Sequence, residues 1–193
     1  MTEFIAEAPQ APRFLVDLGG MCAGAAWAPS PNCDLRPAEA EISLLVIHSI
    51  SLPPGHFGGP DVTNLFLNRL DPAAHPYFAG IASLRVSAHF LVGRDGALTQ
   101  YVPCELRAWH AGVSSWKGRE RCNDFSIGIE LEGTDDSPFE PAQYEALAAL
   151  TRALFVRYGD LDLAGHSDVA PGRKTDPGRH FDWARYRACV GGS

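Results

Sequence analysis

Leu44-Leu45-Val46-Ile47 is an unbroken apolar run that ends at His48. A short run of this kind, without polar alternation, predicts a central strand over residues 43–48, covered on both faces. Residues 125–131 predict a second strand with a different pattern. Ile127, Ile129 and Leu131 fall on one face, with Ser126, Gly128, Glu130 and Glu132 on the other. Residues 86–92 and 98–102 flank Gly93-Arg94-Asp95-Gly96, a hairpin signal in which Asp-Gly supplies the positive φ angles. A further short strand is expected at residues 161–164.

The pattern changes period over residues 141–158. Tyr144, Leu147, Leu150, Thr151, Leu154 and Tyr158 lie on one helical face, Pro141 suits the first turn, and Gly159 marks the stop. A shorter helix is expected over residues 182–189. Residues 52–60 carry three prolines and three glycines and read as a structured loop. The first 30 residues are rich in Ala and Pro without a sustained period. They read as an N-terminal arm, loosely ordered, with a docked helix as the alternative. Strands followed by packing helices, without regular βαβ alternation, predict an α/β (α+β) fold with one mixed central sheet flanked by helices.

Length and composition narrow the setting. The 193 residues fit one domain with a sizeable core, and 46% hydrophobic with 20% charged content is ordinary for a soluble globular protein. A net charge of -7 argues against nucleic acid or an anionic membrane as partner, since either calls for basic surface. Five cysteines without a CxxC pair suggest reduced thiols rather than a disulfide frame. Glu3, Glu7 and Asp17 stand where a signal peptide would not place them, so a cytoplasmic location is expected.

Candidate chemistry concentrates in the loop 165–178. It sets His166, Lys174 and Asp176 among prolines and glycines, where no core packing calls for them. Histidine and aspartate are ordinary ligands for a divalent metal, and His48 at a strand end offers a third. Taken alone, His48 is more simply a satisfied polar residue, and Lys174 a solvated one. Glu130 is costly to bury on an apolar strand unless paired or used, although an edge strand would let it face water. Glu132 lies on the same face, so a two-carboxylate glycosidase also has to be weighed. That chemistry leaves His48, His166, Lys174 and Asp176 without a task. His89 reads as a structural hydrogen-bonding residue, and His56, His75 and His180 as surface residues. His110 reads either as a substrate contact or as an exposed loop residue. Arg85, Arg107, Arg119, Arg121 and Lys117 are either plain surface charge or clamps for carboxylates.

At these residues the chain resembles the zinc-dependent N-acetylmuramoyl-L-alanine amidases of the type 2 class. The likeness runs from about residue 31 to 186. It includes the segments 44–54 and 85–89, Arg107-Ala108-Trp109-His110-Ala111-Gly112, residues 126–135, and the closing block 173–178 with Phe181-Asp182-Trp183. The resemblance implies the fold shared with peptidoglycan recognition proteins, with an amidase domain over 31–193. It implies zinc held by His48, His166 and Asp176, Glu130 as the catalytic carboxylate, and Lys174 as its helper. Arg85, Trp109 and Arg121 would line the groove for a muropeptide. The implied reaction is hydrolysis of the amide between (1,6-anhydro-)N-acetylmuramic acid and L-alanine in cell-wall recycling, by a monomer without nucleic-acid or membrane partners. Ser49 departs from the family, whose members usually carry Asn there. Because both histidines must be neutral to bind metal, zinc affinity and activity are expected to fall below about pH 6.

Overall fold

The computed structural model describes residues 11–192. Six strands form one mixed sheet: β1 (Ala26–Trp27), β2 (Leu44–Ile50), β3 (Phe90–Val92), β4 (Leu98–Gln100), β5 (Ser126–Glu132) and β6 (Asp162–Gly165). Their order is β6-β2-β5-β3-β4-β1. The first four in that order run parallel, β3 and β4 form the antiparallel hairpin, and β1 joins β4 in parallel. Among the described residues, five α-helices accompany the sheet: α1 (Asp61–Phe66), α2 (Pro76–Ala79), α3 (Pro141–Tyr158), α4 (His166–Val169) and α5 (Trp183–Gly191). The mixed sheet with flanking helices is the architecture expected from the pattern.

Alternation along the central strands sends side chains to two different cores. Leu45 and Ile47 of β2 join Ile127, Ile129 and Leu131 of β5 against Tyr144, Leu147, Leu150 and Leu154 of α3. Leu44 and Val46 point the other way, with Ala111, Cys122, Phe125 and Val169. A third cluster, Leu52, Phe66, Phe78 and Tyr101 among its members, lies beside α1 and α2. Leu45, Ile47, Ile127, Ile129 and Leu131 are all fully buried. Each such side chain stabilises the fold by about 1.5–3 kcal/mol. Together they outweigh the roughly 1–3 kcal/mol that one unsatisfied buried polar group costs, so the central strand β5 can hold Glu130 in its interior.

α3 has the bounds its pattern predicts. Pro141 occupies the first turn, the Glu140 amide donates to Gln143 Oε1 at 3.0 Å, and Gly159 ends the helix at φ 82°. The hairpin is shorter than expected. The Ser87 amide leaves it to donate to the Trp109 carbonyl, so only Phe90–Val92 and Leu98–Gln100 pair.

The N-terminal arm divides in two. Residues 1–10 lie outside the described residues. Residues 11–30 are neither loose nor helical: Phe14 is buried in the α3 core, and Ala26–Trp27 adds the edge strand β1. The Gln100 side chain ties this segment down, accepting from the Cys22 amide and donating to the Gly20 carbonyl, both at 2.8 Å.

Arg36 positions the long segment that leads into β5. Its guanidinium donates to the carbonyls of Cys104, Asn123, Asp124 and Ser126 at 2.8–3.1 Å. Arg36→Leu would leave these acceptors without their donor and is expected to cost about 3 kcal/mol or more. Lysine, a point charge without the planar fork, is expected to recover little of this. Urea unfolding of the three proteins reads the effect, and a loss below about 1 kcal/mol for Arg36→Leu would refute the role.

Candidate metal centre

Parallel strands end side by side, and the crevice beyond their carboxyl ends is where open α/β sheets place chemistry. Here the register does so residue by residue. His48 of β2 stands opposite Glu130 of β5, and Ile47 stands opposite Gly165, the last residue of β6. His166 follows at once and opens α4. His48, Glu130 and His166 therefore come to one edge from three adjacent strands.

Asp176 reaches the same point from the loop after α4. Its carbonyl accepts from the Ser167 amide at 2.9 Å, and the hydroxyl of neighbouring Thr175 donates to the Asp135 carboxylate. Gly178 seals the turn: at φ 86°, a Cβ there would stand 2.4 Å from Asp135 Cα. The result is a triangle. Asp176 Oδ2 lies 3.1 Å from His48 Nδ1 and 3.0 Å from His166 Nδ1, and the two nitrogens are 2.9 Å apart.

The chemistry of these atoms can be worked out from their other contacts. His166 Nε2 faces the Ala111 carbonyl at 3.2 Å. A carbonyl only accepts, so Nε2 carries the hydrogen and a neutral His166 presents the Nδ1 lone pair. His48 likewise turns Nε2 away, toward His110, and Nδ1 to the centre. Two such nitrogens and a carboxylate oxygen repel one another at 3 Å unless a cation or a proton lies between them. His48, His166 and Asp176 thus make a group able to hold a metal ion. Two imidazole nitrogens and one carboxylate oxygen are a donor set that suits zinc.

Burial sets the charge states. His48 is 1% exposed, and that burial lowers it to about 4, outweighing the Asp176 carboxylate, which acts to raise it. Protons therefore compete for His48 only at a pH well below its ordinary 6.5. Burial alone would raise Asp176, but the imidazoles of His166 and His48 more than offset it and hold the carboxyl well below its ordinary range. Glu130 is 8% exposed and pushed well above the usual carboxylate range, first by burial, then by the nearby Asp176, with Lys174 opposing. Among the described residues, its Oε2 is the buried side-chain oxygen without a hydrogen-bond partner.

A cleft of about 480 Å³ opens over the triangle, with Glu130, Lys174 and Trp109 in its lining. Tyr77, Ile81, Leu84 and Val86 give it an apolar wall, supplied by α2 and the segment after it. Nothing in the periodicity of that region marked it as part of a site. Arg85 is next to this wall but outside the lining, its Nη1 donating to the carbonyls of Ser83 and Leu84 at 3.2 and 3.3 Å. Arg121 lies beside a different hollow and pairs with Asp124 at 3.2 Å. Arg107 is held by Asp34 and Asp124, Lys117 by Asp162, and Arg119 stacks on Phe125.

Glu132 takes no part in the cleft. Its carboxylate accepts from the amides of Gly58 and Arg94, pinning the 52–60 loop, so the two carboxylates do not flank a common bond. His89 has the structural role expected, accepting from the Gly128 amide and donating to the Leu106 carbonyl, each at 3.0 Å. His56 and His180 are exposed, and His75 caps α2. His110 is neither a simple surface residue nor one remote from the centre: its Nδ1 is 2.9 Å from His48 Nε2. The sequence signal for it was Gly128, a glycine inside a strand, which marks a close approach.

Comparison with known proteins agrees with this geometry. Residues 38–179 match the family described as N-acetylmuramoyl-L-alanine amidase. The 1,6-anhydro-N-acetylmuramyl-L-alanine amidase AmpD of Citrobacter freundii is 62% identical over 173 residues, covering 89% of this chain and 92% of that protein. AmpD of Escherichia coli K12 is 60% identical over 173 residues, covering 89% and 94%. Among solved structures, a selenomethionine derivative of AmpD superposes with a TM-score of 0.89 at 61% identity, covering 91% of this chain and 99% of that one. E. coli AmiD, in complex with the substrate anhydro-N-acetylmuramic acid-L-Ala-D-gamma-Glu-L-Lys, reaches a TM-score of 0.58 at 31% identity, covering 91% and 65%. The chain belongs to the N-acetylmuramoyl-L-alanine amidase family.

Proposed function

We propose that this protein hydrolyses the amide joining the lactyl carbonyl of 1,6-anhydro-N-acetylmuramic acid to L-alanine, with zinc held by His48, His166 and Asp176. The observation that carries the reading is the convergence of two bare imidazole nitrogens and one carboxylate oxygen within 3.1 Å, beside a buried and unpartnered glutamate. Relatives at 60% identity and above that are named as anhydromuramyl-alanine amidases support it, as does the anhydromuropeptide in the AmiD complex.

An amide resists hydrolysis because its carbonyl is a poor electrophile and its amine a poor leaving group. Zinc, when bound, supplies a Lewis acid that polarises the carbonyl and brings the pKa of water near ~7. Glu130 accepts the proton of the attacking water and delivers it to the departing alanine nitrogen, a task suited to a carboxyl that burial raises above its usual range. The Lys174 ammonium donates to the oxygen that becomes negative in the tetrahedral intermediate. The apolar wall and Trp109 take the sugar and lactyl faces and exclude water. Arg85, exposed beside the apolar wall, is assigned to a stem-peptide carboxylate, whereas Arg121 would have to leave Asp124 to do so. The five unpaired cysteines favour a reducing compartment, and we place the protein in the cytoplasm, acting as a monomer in recycling of cell-wall fragments.

Incubation with anhydro-muramyl tripeptide, with and without a chelator, tests the reading by mass spectrometry. Release of free tripeptide, abolished by chelator and restored by zinc, is expected. Cleavage between sugars that ignores chelator would establish a glycosidase instead, and tight binding without scission would establish a recognition module.

A further inference from the structure

The two imidazoles of the triangle are backed by two adjacent residues. The Ala111 carbonyl orients His166, and the His110 ring orients His48. Asn123 Oδ1 fixes this pair, accepting from the amides of His110 and Ala111 at 3.2 and 2.8 Å, and Arg173 adds a second donor to the Ala111 carbonyl.

The His110 ring occupies a slot that exists because residue 128 has no side chain. A Cβ there would stand 2.4 Å from His110 Cγ and 2.6 Å from Nδ1. The rings of His110 and His48 meet edge to face at 89°. At its far end, His110 Nε2 lies 3.2 Å from Ser126 Oγ, and that hydroxyl donates to the Cys122 carbonyl at 2.5 Å.

This chain of contacts has one direction. The Cys122 carbonyl has no hydrogen to give, so the single hydroxyl hydrogen of Ser126 goes to it. Ser126 Oγ then accepts from His110 Nε2–H, which leaves His110 Nδ1 bare in the neutral ring. His110 Nδ1 accepts from His48 Nε2–H, and His48 Nδ1 is left with a lone pair facing His166 and Asp176. We propose that His110, seated over Gly128 and anchored by Ser126, is a positioning residue that fixes the tautomer and orientation of His48 as a metal ligand. It lines the cleft beside His48 and acts through that ligand. Partners of this kind typically govern metal affinity by 10–100-fold.

The inference rests on the metal-dependent reading above, and zinc affinity separates the two. It is measured by dye competition for the wild type, His110→Leu, His110→Asn and Ser126→Ala, with urea unfolding of each metal-free protein alongside. His110→Leu removes the acceptor and is expected to weaken zinc binding by about 10–100-fold. His110→Asn places an amide oxygen near the position of Nδ1 and is expected to recover most of that loss. Ser126→Ala, a smaller change, is expected to weaken binding less than His110→Leu does. Imidazole ¹⁵N shifts in the metal-free wild type are expected to show His48 protonated on Nε2 alone, with the tautomers mixed in His110→Leu. Zinc affinity and tautomer unchanged in His110→Leu would overturn the proposal while leaving the metal site intact. Equal losses in the Leu and Asn variants that merely track their stability would overturn it too. A wild type that binds no zinc would overturn the metal-site reading and this inference with it.

Discussion

Glu130→Gln is expected to lower kcat by about 10²–10⁴-fold, the range for losing a positioned acid–base group, without releasing the metal. Glutamine keeps the shape and burial of the side chain but cannot accept a proton from water. Glu130 is not one of the three converging atoms, so zinc stoichiometry is expected to remain that of the wild type. The same substitution carries a stability signature of opposite sign. A carboxyl raised by burial and by Asp176 binds its proton more tightly in the folded than in the unfolded protein. Folded stability therefore falls as pH climbs from the ordinary value of 4.5 toward the raised one. Glutamine carries no such penalty. Metal-free Glu130→Gln is expected to match the wild type in urea at pH 4 and to exceed it at pH 7.5. A variant that keeps more than a tenth of the turnover, or loses stability at pH 7.5, would remove Glu130 from the proposed role.

Glu130 and Glu132 show how far the sequence could be read. Both sit on one face of the same strand with the same local signals, and the pattern could name them but not separate them. What separates them is the neighbour each meets. Glu130 stands opposite His48 in the parallel register, while Glu132, two residues further on, reaches past the sheet edge to the Gly58 amide. Register is a long-range property, and a hydrophobic pattern fixes only which face a residue takes. α3 was legible to its ends because its signals are local: Pro141, an apolar stripe, Gly159. The seating of residues 11–30 was not, because it depends on Gln100, about 80 residues away, and on the α3 surface that receives Phe14. The ligand set was legible mainly through kinship. The composition of the 165–178 loop shows that something polar is needed there, but only the fold brings Asp176 to His48, across 128 positions. His110 was the costliest ambiguity, since a histidine in a loop carries no sign of whether its partner is water or another imidazole.

Asp176→Asn tests the triangle itself and has the other large expected effect. The substitution keeps the outline of the side chain while removing the charge that faces both imidazoles, so the two nitrogens lose the anion that makes the site attractive to a divalent cation. Loss of a direct ligand is expected to exceed the 10–100-fold typical of a supporting partner, placing zinc affinity more than ~100-fold below wild type and beyond the His110→Leu effect. Hydrolysis is expected to disappear at zinc concentrations that saturate the wild type and to return in part at high zinc. The metal-free protein adds a second reading. Asp176 is held well below its ordinary value of 3.8 by His166 and His48 against the opposing effect of burial. It therefore contributes stability that is present above 3.8 and is lost as pH falls through its lower folded value. His48, lowered from 6.5 to about 4, takes up a proton in the unfolded chain before the folded one, so its contribution is lost as pH falls through that interval. His48 thus weakens the metal-free wild type as pH falls from 6.5 to 4, while the raised Glu130 carboxyl acts in the opposite sense above 4.5. Asp176→Asn removes an anion that favours protonated His48, which lowers the imidazole further and deepens that loss. Zinc affinity in Asp176→Asn within a few-fold of wild type, by dye competition at pH 7.5, would mean that the three atoms do not share an ion.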